Sequence, residues 1–242
     1  MTQSGPPRGF VCNDACIEFA RAHLGRREVE GKSVLEVGAL DVNGSIRTIV
    51  EALAPRSYLG VDVQSGPGVD RTCDVDRLVL EFGRRAFEVV ISTEMLEHVR
   101  DWRTAMSNLK HVLKPEGVLL ITTRSRGFPF HGYPFDFWRY EVDDVGAIFS
   151  DLSIEVVATD PLAPGVFVKA VKPVDFFETD TSNYPLYSII TGDVTVQLSE
   201  SDLAWFRMRY STRQMLGRVL TRTVPGSIRQ RIREAVSSRP EV

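Results

Sequence analysis

A short apolar strand, a polar turn and the start of a helix follow one another in Ser33-Val34-Leu35-Glu36-Val37-Gly38-Ala39-Leu40-Asp41-Val42-Asn43-Gly44-Ser45. Glu36 lies near the end of the predicted strand, so we expect its carboxylate to face the crevice above a parallel sheet. Gly38 and Gly44 lack a Cβ and allow the backbone to approach a ligand closely. An ordinary strand-to-helix turn of an α/β domain is the alternative interpretation, because this arrangement alone is common.

The rest of the chain continues this alternation of strands and helices. Six further strands are predicted near residues 58–62, 71–73, 87–92, 118–122, 152–158 and 166–171, and helices near 45–53, 102–113 and 141–149. The pattern predicts an α/β fold: a Rossmann-like, doubly wound, mostly parallel seven-stranded sheet with helices on both faces. We expect three segments: a helical lead-in of residues 1–30, this domain at 31–172, and a partly helical, basic extension at 173–242.

The bulk composition is that of a globular protein. The 242 residues are 43% hydrophobic and 25% charged, with a formal net charge of −3, so no global field favours nucleic acid. No stretch approaches the roughly 20 apolar residues of a membrane span, and the N-terminus lacks the apolar core of a signal peptide. We therefore expect a cytoplasmic protein without a transmembrane segment.

Charge and cysteine placement add two smaller points. The three cysteines make neither a disulfide framework nor a zinc set. From Ser201 onward nine arginines oppose three acidic residues. A solvated basic surface is the default interpretation, with a homodimer contact or an anionic membrane surface as alternatives.

A second acidic residue ends the next predicted strand. Asp62 follows Gly60-Val61 and lies 26 residues after Glu36. In a βαβ unit, an acid at this point can accept hydrogen bonds from both hydroxyls of a ribose. A simple Asp in a turn is the alternative.

Four motifs in this order resemble class I S-adenosylmethionine-dependent methyltransferases, in particular small-molecule and sugar O-methyltransferases of polysaccharide and natural-product pathways. The resemblance covers residues 32–171 and rests on the runs at 34–38, 60–62, 87–99 and 113–121. The chain departs from the family pattern after Gly38, where Ala39 and Leu40 replace further glycines.

The resemblance implies S-adenosylmethionine as the cofactor. This ligand is a cation with an ammonium, two ribose hydroxyls and a flat base, which carboxylates and an apolar slot can bind. The residues implied to bind it are Glu36, Gly38, Asp41, Asn43 and Gly44 at the methionine portion, Asp62 and Val63 at the ribose and adenine, Asp74 and Val75 at the adenine edge, and Thr93, Glu94 and Met95 beneath the sulfonium.

The loop after the fifth strand, residues 123–140, is long and rich in aromatic residues, which is typical of functional loops. Methyl transfer to a hydroxyl requires removal of its proton. We expect His131 to act as the base and Asp136 to orient it, because an imidazole titrates in the useful range. The expected acceptor contacts are Tyr133, Phe135, Trp138 and Arg139. An apolar lid with His131 as one hydrogen-bonding member is the alternative.

A second candidate site follows the fourth strand. Glu94, Glu97 and His98 have a spacing that can converge on a divalent ion, and Mg²⁺ would suit such oxygen ligands. The pattern is similar to metal-assisted ubiquinone-pathway O-methyltransferases. The Leu-Glu-His triplet also occurs widely in the superfamily without a metal, so Glu97 and His98 are also candidates for a catalytic role on their own.

The aromatic loop also guides the choice of acceptor. Its run at residues 130–140 is similar to methyltransferases of polysaccharide and glycosylated natural-product pathways, and aromatic platforms favour sugars. We therefore expect O-methylation of a carbohydrate hydroxyl, on an oligosaccharide or glycoside. The alternatives are O-methylation of a phenolic or polyketide small molecule, and a non-catalytic S-adenosylmethionine-binding regulatory protein. No amino-methylating motif is present, so we expect no nucleic-acid partner.

Overall fold

The computed structural model describes residues 14–42, 44–132 and 135–223. Several sequence-based predictions fall outside these residues: the roles of Asn43 and Tyr133, the first 13 residues of the lead-in, and the last part of the basic extension, residues 224–242. The chain divides after Gln197 into two compact units. The domain boundary predicted at residue 172 stays a prediction, and it lies at the end of the large sheet.

The strands of the first unit are, in chain order, β1 (Ser33–Val37), β2 (Ser57–Asp62), β3 (Arg71–Thr72), β4 (Phe87–Thr93), β5 (Leu113–Arg124), β6 (Trp138–Arg139), β7 (Ser153–Thr159), β8 (Gly165–Val171), β9 (Leu186–Ser188) and β10 (Asp193–Thr195). Its helices are α1 (Asp14–His23), α2 (Arg26–Val29), α3 (Arg47–Glu51), α4 (Leu78–Phe82), α5 (Trp102–Val112) and α6 (Val142–Ile148), with 3-10 turns at Val75–Arg77 and Leu96–His98.

The large sheet has the order β3-β2-β1-β4-β5-β8-β7. β1 pairs in parallel with β2 and β4, and β5 pairs in parallel with β4, whereas β8 runs antiparallel to β5 and β7. The predicted seven-stranded, mostly parallel sheet is therefore confirmed. Since β1, β2, β4 and β5 run in one direction, their carboxyl ends meet at one edge, which is where such folds bind ligands.

The core explains why these segments form strands. All five residues of β1 are buried, and β4 and β5 are long apolar runs, as expected for strands covered on both faces. On one face, α1, α3 and the residue before α3 contribute to one apolar cluster with the central strands. Its members include Phe19, Ala20, Ile46 and Val50 from the helical side and Val34, Val89 and Ile91 from the strands.

Two element boundaries differ from the prediction. α3 covers only five residues, because Ala54 already has a positive φ of 58°. β5 begins at Leu113 rather than near residue 118. The chain turns at Glu116, which has a φ of 60°. This turn lies within β5, where the pairing of β4 with β5 is irregular between Phe87 and Val89.

A second, three-stranded sheet was not predicted. It has the order β10-β9-β6, and β9 and β10 lie within the extension predicted at residues 173–242. Strands of two or three residues are too short to give a periodic signal.

The second compact unit contains α7 (Glu200–Thr223), which lies within the extension that the sequence predicts to be partly helical. Within the described ranges, no helix combines the length and apolarity needed to cross a bilayer.

Candidate active site

The loops that follow β1 and β4 touch at the carboxyl edge of the sheet. Gly38 has a φ of 82°, and a Cβ on it would lie 2.7 Å from the Cβ of Met95. Any other residue at position 38 would therefore be strained and would clash. The N–H of Gly38 donates to the carbonyl of Val61 in β2 at 2.9 Å. These contacts bring Gly38, Met95 and the end of β2 into one crevice.

Glu36 is a buried carboxyl group beneath this crevice. Its Oε2 accepts a hydrogen bond from the Tyr58 hydroxyl at 2.6 Å. Burial raises the pKa of Glu36 to about 7, and the nearby Asp41 and Asp70 also raise it, against the lowering effects of Tyr58 and Arg47. A cation bound here would favour the ionised form.

Asp62 ends β2 on the same edge of the sheet. Its Oδ1 accepts from the N–H of Gln64 at 2.9 Å, and its Oδ2 accepts from the N–H of Leu40 at 3.4 Å. The carboxylate thus joins the end of β2 to the loop after β1. Asp41 has a comparable local role, since its Oδ1 accepts from the N–H of Gly44 at 2.9 Å.

A cleft of about 350 Å³ lies beside Asp62. Asp74 lines it and caps the following 3-10 turn by accepting from the N–H of Asp76 at 3.0 Å, while Val63 is largely exposed and Val75 is buried. The residues lining the cleft are Val63, Thr72, Cys73, Asp74, Arg77 and Glu81. The expected adenine end, at Val63 and Asp74, is therefore an actual concavity.

His131 lies between two buried carboxylates on the other side of the edge. Its Nδ1 is 3.1 Å from Asp136 Oδ2, its Nε2 is 3.7 Å from Glu97 Oε1, and its backbone N–H donates to Asp136 Oδ2 at 2.7 Å. Burial alone would lower the pKa of His131, but hydrogen bonding and charge from Asp136 and Glu97 raise it to about 9. The imidazole is therefore positively charged at neutral pH.

His98 completes this group. Its Nδ1 contacts the carbonyl oxygen of Phe135, so Nδ1 must carry the hydrogen and Nε2 faces Glu97 Oε1 at 3.9 Å. The His98 and His131 rings meet edge to face at a centroid distance of 4.6 Å. Gly132 allows this approach, because a Cβ there would lie 2.8 Å from His98 Cε1. The structure thus brings together four predicted residues: Glu97, His98, His131 and Asp136.

Glu94 does not belong to this group, which corrects the predicted metal ligand set. Its side chain is buried against the guanidinium of Arg124, and its Oε1 accepts from the Cys16 thiol at 3.5 Å. Burial raises the pKa of Glu94 well above its ordinary value, and the neighbouring Glu97 adds to the rise. The described residues that can share a metal ion are Glu97, His98 and His131.

Arg139 and Trp138 are not acceptor contacts, contrary to expectation. Arg139 is 1% exposed, and its five N–H donors are used within the loop: two on Asp136, and one each on the carbonyls of Phe128, Pro129 and Trp138. Trp138 is equally buried and donates its Nε1–H to the carbonyl of Arg100 at 3.0 Å. Phe135 keeps the exposed position that an acceptor contact needs, with 60% of its surface accessible.

Arg124, Asp160 and Thr123 hold this site together and were not selected from the sequence. Arg124 pairs with Asp160 at 2.9 Å as well as with Glu94, and its guanidinium lies 4.2 Å from the centre of the Phe128 ring. Thr123 donates its hydroxyl to Glu97 Oε2 at 2.9 Å. The position of Arg124 at the end of β5 was the available signal, since the ends of central strands line such sites.

Comparison with known proteins agrees with this geometry. A family model described as "Methyltransferase domain" matches residues 17–160, more than half of the chain. A ubiquinone biosynthesis O-methyltransferase of Rhizobium etli is 26% identical over 131 residues, covering 49% of this chain and 51% of that protein. One of Brucella anthropi is 24% identical over 136 residues, covering 51% and 53%. The chain therefore spans about half the length of the curated relatives it matches.

Solved structures show the same fold at low sequence identity. The 1,6-didemethyltoxoflavin-N1-methyltransferase of Burkholderia thailandensis, bound to its substrate and S-adenosylhomocysteine, has a TM-score of 0.55 at 16% identity, covering 66% of this chain and 80% of that one. An S-adenosylmethionine-dependent methyltransferase from Mesorhizobium loti has a TM-score of 0.50 at 17% identity, covering 66% and 99%.

Proposed function

The chain belongs to the methyltransferase domain family, and we propose that it transfers the methyl group of S-adenosylmethionine to a hydroxyl oxygen of a small-molecule acceptor. The observation that carries the proposal is His131, held between Asp136 and Glu97, and Glu97 follows Met95 by two residues in the turn after β4. The curated relatives are O-methyltransferases by name, which supports oxygen as the accepting atom.

The donor side fits S-adenosylmethionine on structural grounds. When bound, this cofactor supplies an activated methyl group on a positively charged sulfur. Gly38 lets the loop after β1 pack directly against Met95. Burial raises the pKa of Glu36 to about 7, so a bound cation would favour its ionised form. Glu36 and Asp41 would hold the methionine portion, Asp62 the ribose, and the cleft at Val63 and Asp74 the adenine.

On the acceptor side, the hydroxyl must lose its proton before or during methyl transfer, and His131 is the group placed to affect that proton. A pKa of about 9 means that His131 is charged at neutral pH, and an imidazolium would stabilise an acceptor oxygen that has already lost its proton. A neutral His131 would instead remove that proton itself. In both routes, His131 and the hydroxyl together must have lost one proton to solvent before methyl transfer. Because His131 has a pKa of about 9, turnover should rise with pH up to about 9.

This charge state favours a phenolic acceptor over a sugar. A phenol has a pKa near 10, close to that of His131, so little free energy separates the two positions of the shared proton. A sugar hydroxyl is far less acidic. Burial of Trp138 also removes one wall of the aromatic platform that favoured a carbohydrate, leaving Phe135 as its exposed ring. Methylation of a carbohydrate hydroxyl is the second candidate.

A divalent ion would compete with this proton. The ligand set offered is Glu97, His98 and His131, and two imidazoles with one carboxylate suit Zn²⁺, Mn²⁺ or Fe²⁺ better than Mg²⁺. Because His131 must be neutral to bind a metal, its raised pKa weakens such a site at neutral pH. We therefore expect turnover to persist in EDTA.

The test is turnover of S-adenosylmethionine on catechols, simple phenols and methyl glycosides, with wild-type protein and with His131→Gln. We expect methylation of a catechol or phenol, a loss of about 10²-fold or more in kcat for the variant, and unchanged cofactor affinity by calorimetry. His23→Gln in α1 is the matched control and should keep full activity.

Each other outcome has a definite meaning. Methylation of glycosides alone would move the acceptor to carbohydrates, and loss of turnover in EDTA would restore the metal. Full activity of His131→Gln would remove it as the proton-handling group. Cofactor binding without turnover on any acceptor would leave a regulatory protein and contradict the proposal.

A further inference from the structure

A small sheet outside the family match contacts the acceptor loop directly. The match ends at residue 160, whereas β9 and β10 cover residues 186–195. β9 pairs antiparallel with β6, joining Trp138 to Ser188 and Arg139 to Tyr187, and β10 pairs with the free edge of β9. The added hairpin thus holds the two residues that follow Asp136 and Phe137.

Ser188 makes the closest polar contact between the hairpin and the loop. It is fully buried, and its hydroxyl donates to the carbonyl of Phe137 at 2.7 Å. The same carbonyl accepts from the N–H of Ile189 at 3.1 Å, while the N–H of Phe137 donates to the carbonyl of Glu97 at 2.8 Å. The peptide units around Phe137 are therefore fixed on one side by the hairpin and on the other by Glu97.

This fixed point is one residue from the carboxylate that orients His131. Asp136 accepts both ends of the Arg139 guanidinium, at 2.6 Å and 2.9 Å, and Arg139 also holds the carbonyls of Phe128 and Pro129. Arg139 lies in β6, so its backbone position depends on pairing with β9. A continuous set of contacts runs from Ser188 through Phe137 and Asp136 to His131.

The segment leading to the hairpin is itself anchored. Between β8 and β9 it is bonded to α5, where the Arg103 Nε–H donates to the carbonyl of Thr181 at 2.7 Å and Ser107 donates to Glu178 at 3.1 Å. It is bonded to α6 through the Tyr184 hydroxyl, which donates to Asp144 at 2.9 Å. These bonds therefore fix the start of the hairpin, at the position where β9 pairs with β6.

We propose that the β9–β10 hairpin is an acceptor-side clamp and that Ser188 is a positioning residue, which holds Phe137 so that Asp136 keeps the His131 ring in its place against Glu97. This inference rests on the proposed function, in which His131 handles the acceptor proton. The contacts of the clamp named above lie at Phe137, Trp138 and Arg139, on the acceptor side.

The test compares Ser188→Ala with Thr191→Ala in the full chain. Thr191 offers a matched hydroxyl in the same hairpin. It donates to the carbonyls of Ser188 at 3.5 Å and Asp193 at 3.2 Å, and it accepts from the N–H of Asp193 at 3.3 Å, so these bonds stay within the hairpin. The first readout is the side-chain ¹⁵N spectrum of the histidines, with the His131 signals assigned by His131→Gln. The second is kcat on the best phenolic acceptor, together with the affinity for S-adenosylmethionine.

We expect Ser188→Ala to shift or broaden the His131 signals and to lower kcat roughly tenfold, since a small misplacement of a catalytic group is enough. Cofactor affinity should stay within twofold, and Thr191→Ala should match wild type in every readout. If Ser188→Ala does not fold, the nearly isosteric Ser188→Cys, a weaker donor, should give an intermediate effect.

Unchanged His131 signals in a folded Ser188→Ala protein would overturn the clamp, as would an equal loss in Thr191→Ala. Because the spectrum needs no acceptor, this result stays distinct from a failure of the proposed function, which would appear as absence of turnover in wild-type protein.

Discussion

Replacing Glu36 with Gln should make the free protein more stable and its complex with S-adenosylmethionine weaker. Burial, with the charges of Asp41 and Asp70, raises the pKa of Glu36 from 4.5 to about 7. A glutamine has the same shape and can still accept the hydrogen bond that Tyr58 donates at 2.6 Å. It never ionises, so the variant removes the charge and keeps the contact.

The stability effect follows from linkage between ionisation and folding. A shift from 4.5 to about 7 corresponds to about 3 kcal/mol. Because the folded-state pKa is the higher one, this stabilisation is fully present below pH 4.5 and is lost as the pH rises through 7. The free energy of unfolding of the glutamine variant should therefore gain on that of wild type by about 2 to 3 kcal/mol between pH 5 and pH 8.5.

The binding effect has the opposite sign. With a pKa of about 7, roughly one tenth of Glu36 is ionised at pH 6 and nine tenths at pH 8. If the ionised form binds the cationic donor, wild-type affinity should rise about tenfold over this range, and the variant's affinity should be lower at pH 8 and flat.

Calorimetric titration with S-adenosylmethionine and urea unfolding, each at several pH values, measure the two effects. Glu18→Gln, which changes an exposed carboxyl group of α1, is the control. A wild-type affinity that does not change with pH, or an equal rise in the Glu36 variant, would refute the assignment of Glu36 to the donor.

Two further substitutions test the donor edge and the buried ion pairs. Asp62→Ala should weaken donor binding by about 1.5 to 3 kcal/mol, because charged hydrogen bonds to the ribose are lost. Calorimetry measures this affinity, with Asp180→Ala on the surface as the control. Unchanged affinity of Asp62→Ala would count against the ribose role. Arg124→Met should lower the free energy of unfolding by about 3 to 5 kcal/mol, since Glu94 and Asp160 lose their buried partner. In the same urea experiment Arg56→Met, whose pair with Glu88 is exposed, should cost less than about 1 kcal/mol, and an equally small cost for Arg124→Met would contradict a structural role for that pair.

The sheet and the donor edge were predictable because local pattern determines both. Each central strand is an apolar run that ends in a polar residue, and parallel strands bring those ends together. Glu36 and Asp62 were selected for this reason, Gly38 for its missing Cβ and Met95 through the family resemblance, and all four lie in the strands or loops of this edge. The small hairpin was not predictable, because β9 and β10 are three residues each and only β9 pairs with β6, far away in sequence.

The acceptor loop shows a second limit of the sequence. Trp138 and Arg139 are residue types that often contact ligands, and the pattern alone favoured that role. Their true role depends on where the loop places its own carbonyls, which Arg139 satisfies by closing around Phe128, Pro129 and Asp136. Burial of a guanidinium with all its donors used is a property of the folded loop, and composition gives no sign of it.

The pKa values of Glu94 and Glu97 are shifted in opposite directions, although the two residues are only three positions apart. Glu94 has a φ of 53° and is buried against Arg124, which Asp160 already pairs. One positive charge between two carboxylates leaves one carboxyl group neutral, in agreement with the strongly raised pKa of Glu94.

Glu97 remains ionised because its cluster holds two cations for two carboxylates, whereas Arg124 is one cation facing two carboxylates. Burial alone would raise the pKa of Glu97, but the nearby imidazoles of His131 and His98 lower it. Asp136 is likewise held ionised, by Arg139 and His131, against the effect of its burial. Arg139 and His131 therefore balance Asp136 and Glu97. Opposite shifts in two neighbouring carboxyl groups are typical of acid–base assignments in active sites, and here they leave Glu97, and not Glu94, as the negative charge beside His131.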